Sequence, residues 1–237
     1  MKKILTHLAT DWYKYLLELI VITAGVLGAF ALNNWNEQAK ESKEEKVILS
    51  QMLEDLAKSK SLSEAYIKIE ENRIAILTAA LGDADQVDSL WSSNNSNSLA
   101  KEVFWNYQHE VPVFSSYEDF KNSGKTGQIK SAELRAAIYE LEEKINALDY
   151  VVNDRQIVHT TRIDALSESA VNFLVFIDRA PAIDAGPASD YKAVLRIQRN
   201  RNLIGLKLDA TIEVLVHRNS LDQEIADLMR MVEVEIK

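Results

Sequence analysis

An all-α fold is what this sequence predicts, and three observations carry the prediction. Glycine and proline number only 7 and 3 in 237 residues, which leaves few helix breakers. Apolar residues recur at steps of three and four along most of the chain, the period of a helix face. Residues 19–32 run without a charge or a side-chain amide. The expected architecture is an N-terminal transmembrane helix continuing into a long-helix bundle, closed by an antiparallel pair of long C-terminal helices.

Residues 1–15 read as a short N-terminal tail and 16–35 as the transmembrane helix. A spanning helix needs about 20 mainly apolar residues. Trp12, Tyr13 and Tyr15 stand at one end and Trp35 at the other, as interfacial aromatics do. At about 1.5 Å per residue the distance from Trp12 to Trp35 reaches both interfaces. The exit, Leu32-Asn33-Asn34-Trp35, is too bulky for a signal-peptidase site. Lysines tie across the span, with Lys2, Lys3 and Lys14 before it and Lys40, Lys43 and Lys46 after it. The short Lys-bearing tail is the end least in need of crossing. The N-terminus is therefore expected in the cytoplasm and the helical domain outside.

Two features of the span are candidates for function. Glu18 is an intramembrane carboxylate, costly unless it has a role; the alternative is that it reaches the interface or Lys14, four residues earlier. Ala24, Gly25, Gly28 and Ala29 form two small pairs four apart, a flat face on which a second helix can pack. Small residues are also simply common in spans. Asn33, Asn34, Trp35, Asn36 and Glu37 make the membrane exit.

Residues 37–237 read as one soluble helical domain. Residues 1–36 carry a net +1, so the remainder carries −10 of the total −9. An acidic domain with no basic stripe argues against nucleic acid. Without cysteine there is no thiolate metal site, disulfide or Cys nucleophile. A long helix is expected over 37–82, its face marked by Ile48, Met52, Leu56, Leu62, Tyr66, Ile69, Arg73, Ile76 and Ala80, with Gly82-Asp83 as its stop. Residues 83–130 form an aromatic loop and short-helix region, with a polar loop over 83–98 and short helices at 98–108 and 115–122. Seven of the 18 aromatics lie between Trp91 and Phe120, either as a core plug or as the lining of a ligand site.

Helices are then expected at 131–178 and 189–236. Ser131 is a candidate N-cap, and Leu134, Ile138, Leu141, Ile145, Leu148 and Val152 follow at heptad spacing. The same register continues into Arg155, His159 and Arg162. These three either form a polar layer inside the bundle, with His159 as a pH-sensitive joint, or turn to water as the stripe rotates onto Ile157 and Ile163. The break at 178–187 makes the two helices an antiparallel pair and sets His159 opposite Leu208 and Asp209. The stripe of the last helix is read as Leu208, Ile212, Leu215, Leu221, Ile225, Leu228, Val232 and Ile236.

No enzyme is expected. The four histidines are scattered without an H-x-x-x-H pair, so no catalytic, cofactor-binding or metal-binding residue is assigned, and no cofactor. Ser123-Gly124-Lys125-Thr126 is no phosphate loop, because Asp119 stands where that pattern needs Gly.

The N-terminal end resembles an uncharacterised family of bacterial single-pass membrane proteins. The resemblance rests on Glu18, on Gly25 with Ala29, and on Asn33-Asn34-Trp35-Asn36-Glu37. A second match runs through Tyr117-Glu118-Asp119-Phe120-Lys121-Asn122-Ser123-Gly124, then Ile129-Lys130 and Glu133-Leu134. It covers the first 45 residues and 115–140, and it implies anchor and fold, with no activity to lend. The expected function is a membrane-anchored helical scaffold or sensor acting by self-association and partner binding, in contact with lipid, as a homo-oligomer, with an unnamed protein partner. The alternative is an oligomeric channel or effector, with Glu18 lining the path and the helical domain as its trigger.

Overall fold

The computed structural model describes residues 2–92, 95–114, 121–122, 128–177 and 184–237, with the side chains of residues 2–11 and Tyr15 left undescribed. Every described element is a helix. In order they are α1 (Lys2–Ala80), α2 (Ala84–Trp91), α3 (Ser96–Phe104), α4 (Ala132–Val158), a π-helical turn (His159–Ile163), α5 (Asp164–Ala170), a 3-10 turn (Phe173–Phe176), α6 (Tyr191–Arg196) and α7 (Gln198–Ile236). The chain divides into two compact units, Met1–Ser50 and Gln51–Lys237.

The first unit is helical from Lys2 onward, so the expected tail is helix too. Among the described residues α1 alone is long and apolar enough to cross a membrane, with a mean hydropathy of 2.1 over its most apolar 18 residues. None of that window is buried.

The second unit is a bundle of α1, α4 and α7. Each carries heptad-spaced buried positions, the spacing that keeps one helix face on a neighbour. In α1 these are Met52, Leu56, Ser59, Ser63, Glu70, Arg73, Leu77 and Ala80, with Tyr66 half-buried. In α4 they are Leu134, Ile138, Leu141, Leu148, Val152 and Arg155, with Ile145 half-buried. In α7 they are Ile204, Lys207, Thr211, Val214, Arg218, Leu221, Ile225, Leu228 and Val232. The expected faces of α1 and α7 are corrected accordingly. Leu62 and Ile69 are 47% and 40% exposed, and Ile212 is 43% exposed, because Ser59, Ser63, Glu70 and Thr211 hold the inward positions.

Helices α4 and α7 are antiparallel. Glu224 faces Glu140 and Lys144, while Lys207 faces His159, one residue from the expected register. Helix α1 is antiparallel to α7 as well: Lys60 Nζ meets Asp222 Oδ2 at 2.6 Å, and Arg201 Nη2 donates to the Leu81 carbonyl at 2.7 Å. That last bond satisfies a carbonyl at the end of α1. Gly82 follows, where an added Cβ would collide with the Gln86 side chain. Gln86 is committed to a capping box with Asp83, which starts α2 inside the stretch expected to be loop.

Helix α3 ends at Phe104, shorter than expected. Residues 106–114 then run without helical structure back along the bundle. The expected helix at 115–122 and the tetrapeptide at 123–126 fall mostly outside the described residues. Ser131 caps α4, accepting from the Leu134 amide at 3.2 Å. The single helix expected over 131–178 is instead α4, the π turn, α5 and a 3-10 turn. The helix expected over 189–236 is broken at Ile197 into α6 and α7. Asp190 caps α6 through the Ala193 amide.

A core of Leu77, Phe104, Leu166, Phe176, Tyr191 and Ile204, among others, closes the end of the bundle where α1 stops. Trp91 and Trp105 pack against it, so these aromatics serve the core. Asn172 ties the last connection down, its Nδ2 donating to the carbonyls of Ala185 at 2.5 Å and Pro187 at 2.9 Å. Gly186 between them has φ 66°, the left-handed region that glycine enters without strain.

Candidate functional site: a buried charge layer

Halfway along the bundle the heptads of all three helices place charged side chains inside. Glu70 is fully buried, with Arg73, Arg155 and Arg218 each at most 3% exposed. A buried carboxylate is tolerated only when its charge and lone pairs are met. Here three guanidiniums meet it. Arg73 Nη1 donates to Glu70 at 3.1 Å, Arg155 Nη1 at 2.9 Å and Arg218 Nε at 3.4 Å. Arg73 Nε also reaches Glu102 Oε2 at 3.2 Å. The Arg218 guanidinium lies 5.0 Å from the centroid of the Tyr66 ring, a cation–π contact.

The layer also has a task in the fold. An irregular segment lying against helices must find partners for its backbone, and these side chains supply them. Lys207 Nζ donates to the carbonyls of Glu102 at 2.8 Å and Val103 at 3.1 Å, at the C-terminal end of α3, where a cation meets the helix dipole. Ser167 Oγ donates to the Phe104 carbonyl at 2.6 Å. Arg155 Nη2 donates to the Gln108 carbonyl, Arg218 Nη2 to that of Glu110 at 2.9 Å, and Ser59 Oγ to that of Val113 at 3.2 Å. Residues 102–113 are thereby fastened to α1, α4, α5 and α7.

His159 stands at the edge of this layer, 2% exposed, on the π turn. Its ring lies 4.2 Å from Tyr107 and 6.5 Å from Trp105 between centroids. Nδ1 is 3.1 Å from Asp164 Oδ1, and the Trp105 carbonyl is nearby. Burial first, then the charges of Lys207, Arg155 and Arg73, push His159 from 6.5 down to about 3. Burial and the Arg73 charge also hold Lys207 well below the usual lysine range. Burial and Glu168 raise Asp164.

The three residues singled out by the heptad thus separate. Arg155 and His159 lie inside, and Arg162 is exposed. A π turn inserts one extra residue into a helix, so the buried phase passes from His159 to Ile163 instead of Arg162. Ile157, the other rotated position, is 60% exposed. Glu70, Lys207 and Arg218 were not expected in the site; their only signal in the sequence is that they continue a heptad.

The residues of the first unit stand apart from this layer in kind. Glu18 is exposed on α1, and among the described residues no ion pair involves it. Ala24, Gly25, Gly28 and Ala29 are exposed, and a Cβ added at Gly25 or Gly28 would meet nothing within 4 Å. Asn33, Asn34, Trp35, Asn36 and Glu37 are exposed and helical.

Among the described residues no group of three or more His, Asp and Glu could hold a metal ion. Two open clefts of about 380 Å³ each lie outside the layer. One is between residues 82–88 and 192–201, the other between 111–114 and 142–149. None of the buried charges lines either.

Every described element is helical, and the second unit has a charged interior. The chain belongs to the family of unknown function DUF6090, whose model matches residues 18–178. The matched stretch includes Glu70, Arg73, Arg155 and His159; Lys207 and Arg218 lie beyond it. No curated protein and no solved structure matches the chain.

Proposed function

We propose that this chain is a membrane-anchored helical scaffold or sensor that works by self-association and by binding a protein partner, without chemistry of its own. In this reading α1 crosses a bacterial inner membrane once, with the N-terminus cytoplasmic and the helical unit periplasmic. Lipid surrounds the apolar surface of α1, and copies of the chain meet through Ala24, Gly25, Gly28 and Ala29. The observation that carries the reading is the open space at Gly25 and Gly28 on a helix whose apolar window is wholly unburied. In lipid, helices associate where small residues let backbones approach.

A leucine at Gly28 would fill that approach. Gly28→Leu is expected to weaken the multimer of the detergent-solubilised full chain by on the order of tenfold in dissociation constant, read as a shift in mass with dilution. A multimer of unchanged strength would remove this face as the contact.

A further inference from the structure

Three structural facts converge on the π turn. A histidine is buried there, with Asp164 Oδ1 3.1 Å from Nδ1 and the Trp105 carbonyl as its polar neighbours. Its ring is packed against Tyr107 and Trp105, which lie within the segment that the layer fastens. A π turn is itself a local departure from helix geometry that recurs at functional sites. An imidazolium in this position would be a second kind of buried charge in a place already crowded with cations.

The charges facing it can be taken element by element. Helix α1 presents Arg73, and α4 presents Arg155; both are tied to Glu70. Helix α7 presents Lys207, whose ammonium is committed to the Glu102 and Val103 carbonyls. Glu102 lies behind it as Arg73's second carboxylate. Helix α5 presents Asp164 with Glu168 beside it. The segment after α3 presents the rings of Trp105 and Tyr107 and the Trp105 carbonyl, which favours a proton on the imidazole, with exposed His109 beyond Tyr107 at 6.0 Å. Among the described residues Asp164 is the acid paired with the imidazole. Burial opposes a proton on His159 first, and the charges of Lys207, Arg155 and Arg73 add to it.

We infer that the His159 turn is a proton-operated latch: acid drives His159 out of its place against Tyr107 and Trp105 and frees residues 105–114 from α4 and α5. The closed form excludes the proton, and the open form accepts it. The sign follows from linkage. With the closed-state value near 3 and the free value near 6.5, the open form binds more protons between those limits, so the closed form loses ground as pH falls from 6.5 to 3. Above 6.5 the histidine contributes nothing. Lys207 acts in the same direction, and Asp164, whose value is raised, acts in the opposite one at the acid end. Each pH unit below 6.5 multiplies the open population by about ten, so pH 5.0 gives about a 30-fold increase. The latch deepens the sensor reading above, on which its biological use rests, by making the proton the trigger. A periplasmic unit would meet the pH of the medium.

Hydrogen exchange on the full chain in detergent tests it, at pH 7.5 and 5.0, corrected for intrinsic exchange. Peptides covering 105–114 and 159–170 are expected to open about 30-fold more at pH 5.0. His159→Gln should abolish the step, and His217→Gln should retain it. Unchanged protection in the wild type, or the full step retained in His159→Gln, overturns the latch. Should His159→Gln fail to fold, ring NMR of the wild-type histidines decides. A His159 resonance that stays neutral to pH 5 in the closed population supports the latch. Ordinary titration near 6.5 with amide protection intact overturns it. The mass of the multimer, read in the same samples, reports separately on self-association. Opening at constant mass supports the latch, and a change of mass without opening overturns it.

Discussion

Glu70→Ala is expected to destabilise the helical unit by about 3–5 kcal/mol, the range for breaking a buried ion pair from one side. The reason is what stays behind. Arg73, Arg155 and Arg218 would remain almost wholly buried, with their common carboxylate gone. Each keeps one other acceptor, in Glu102, Gln108 and Glu110 respectively, but two of those are uncharged carbonyls. A domain of this size is stable by about 5–15 kcal/mol, so the loss is a large share of the total. The shift in urea midpoint of the full chain in detergent, followed by circular dichroism, measures it. A shift below about 1 kcal/mol would mean that water already reaches the layer and solvates the arginines.

Arg218→Ala is expected to cost about 2–4 kcal/mol, from a lost charge-assisted bond, an unsatisfied carbonyl and the Tyr66 contact. The loss is smaller than for Glu70 because the carboxylate keeps Arg73 and Arg155. Arg218→Lys should recover less than half of it. A lysine ammonium is a point charge and cannot hold Glu70 and the Glu110 carbonyl in one planar fork. Full recovery by lysine, in the same unfolding assay, would show that charge alone matters at this position.

Much of the architecture was legible from spacing. The helical class, the end of α1 near Gly82, the Ser131 cap and the pairing of the last two long helices follow from local rules about breakers, caps and periodicity. The inward faces were harder to read. In α1 the apolar residues Leu62 and Ile69 suggest one face, while Ser63 and Glu70, one position later, occupy the buried heptad. In α7 Ile212 and Leu215 draw the eye from Thr211 and Val214 in the same way. A stripe read by apolarity fails where a bundle buries charge, because the justification for a buried Glu70 lies on two other helices. Arg155 and His159 were legible because they continue an apolar run in register. Of the two placements open for Arg162 the exposed one holds, because the π turn adds a residue whose effect on phase no local pattern announces.

A double-mutant cycle between Glu70→Ala and Arg218→Ala, by urea unfolding of the full chain, asks whether these residues form one closed layer. Residues in one buried network couple by about 0.5–3 kcal/mol, whereas independent sites add to within about 0.5 kcal/mol. A closed layer predicts coupling of about 1.5 kcal/mol or more, with the double variant more stable than the sum of the single losses implies. Additive losses would mean that Glu70 and Arg218 act separately, and that the charged interior is a set of independent contacts instead of a single layer.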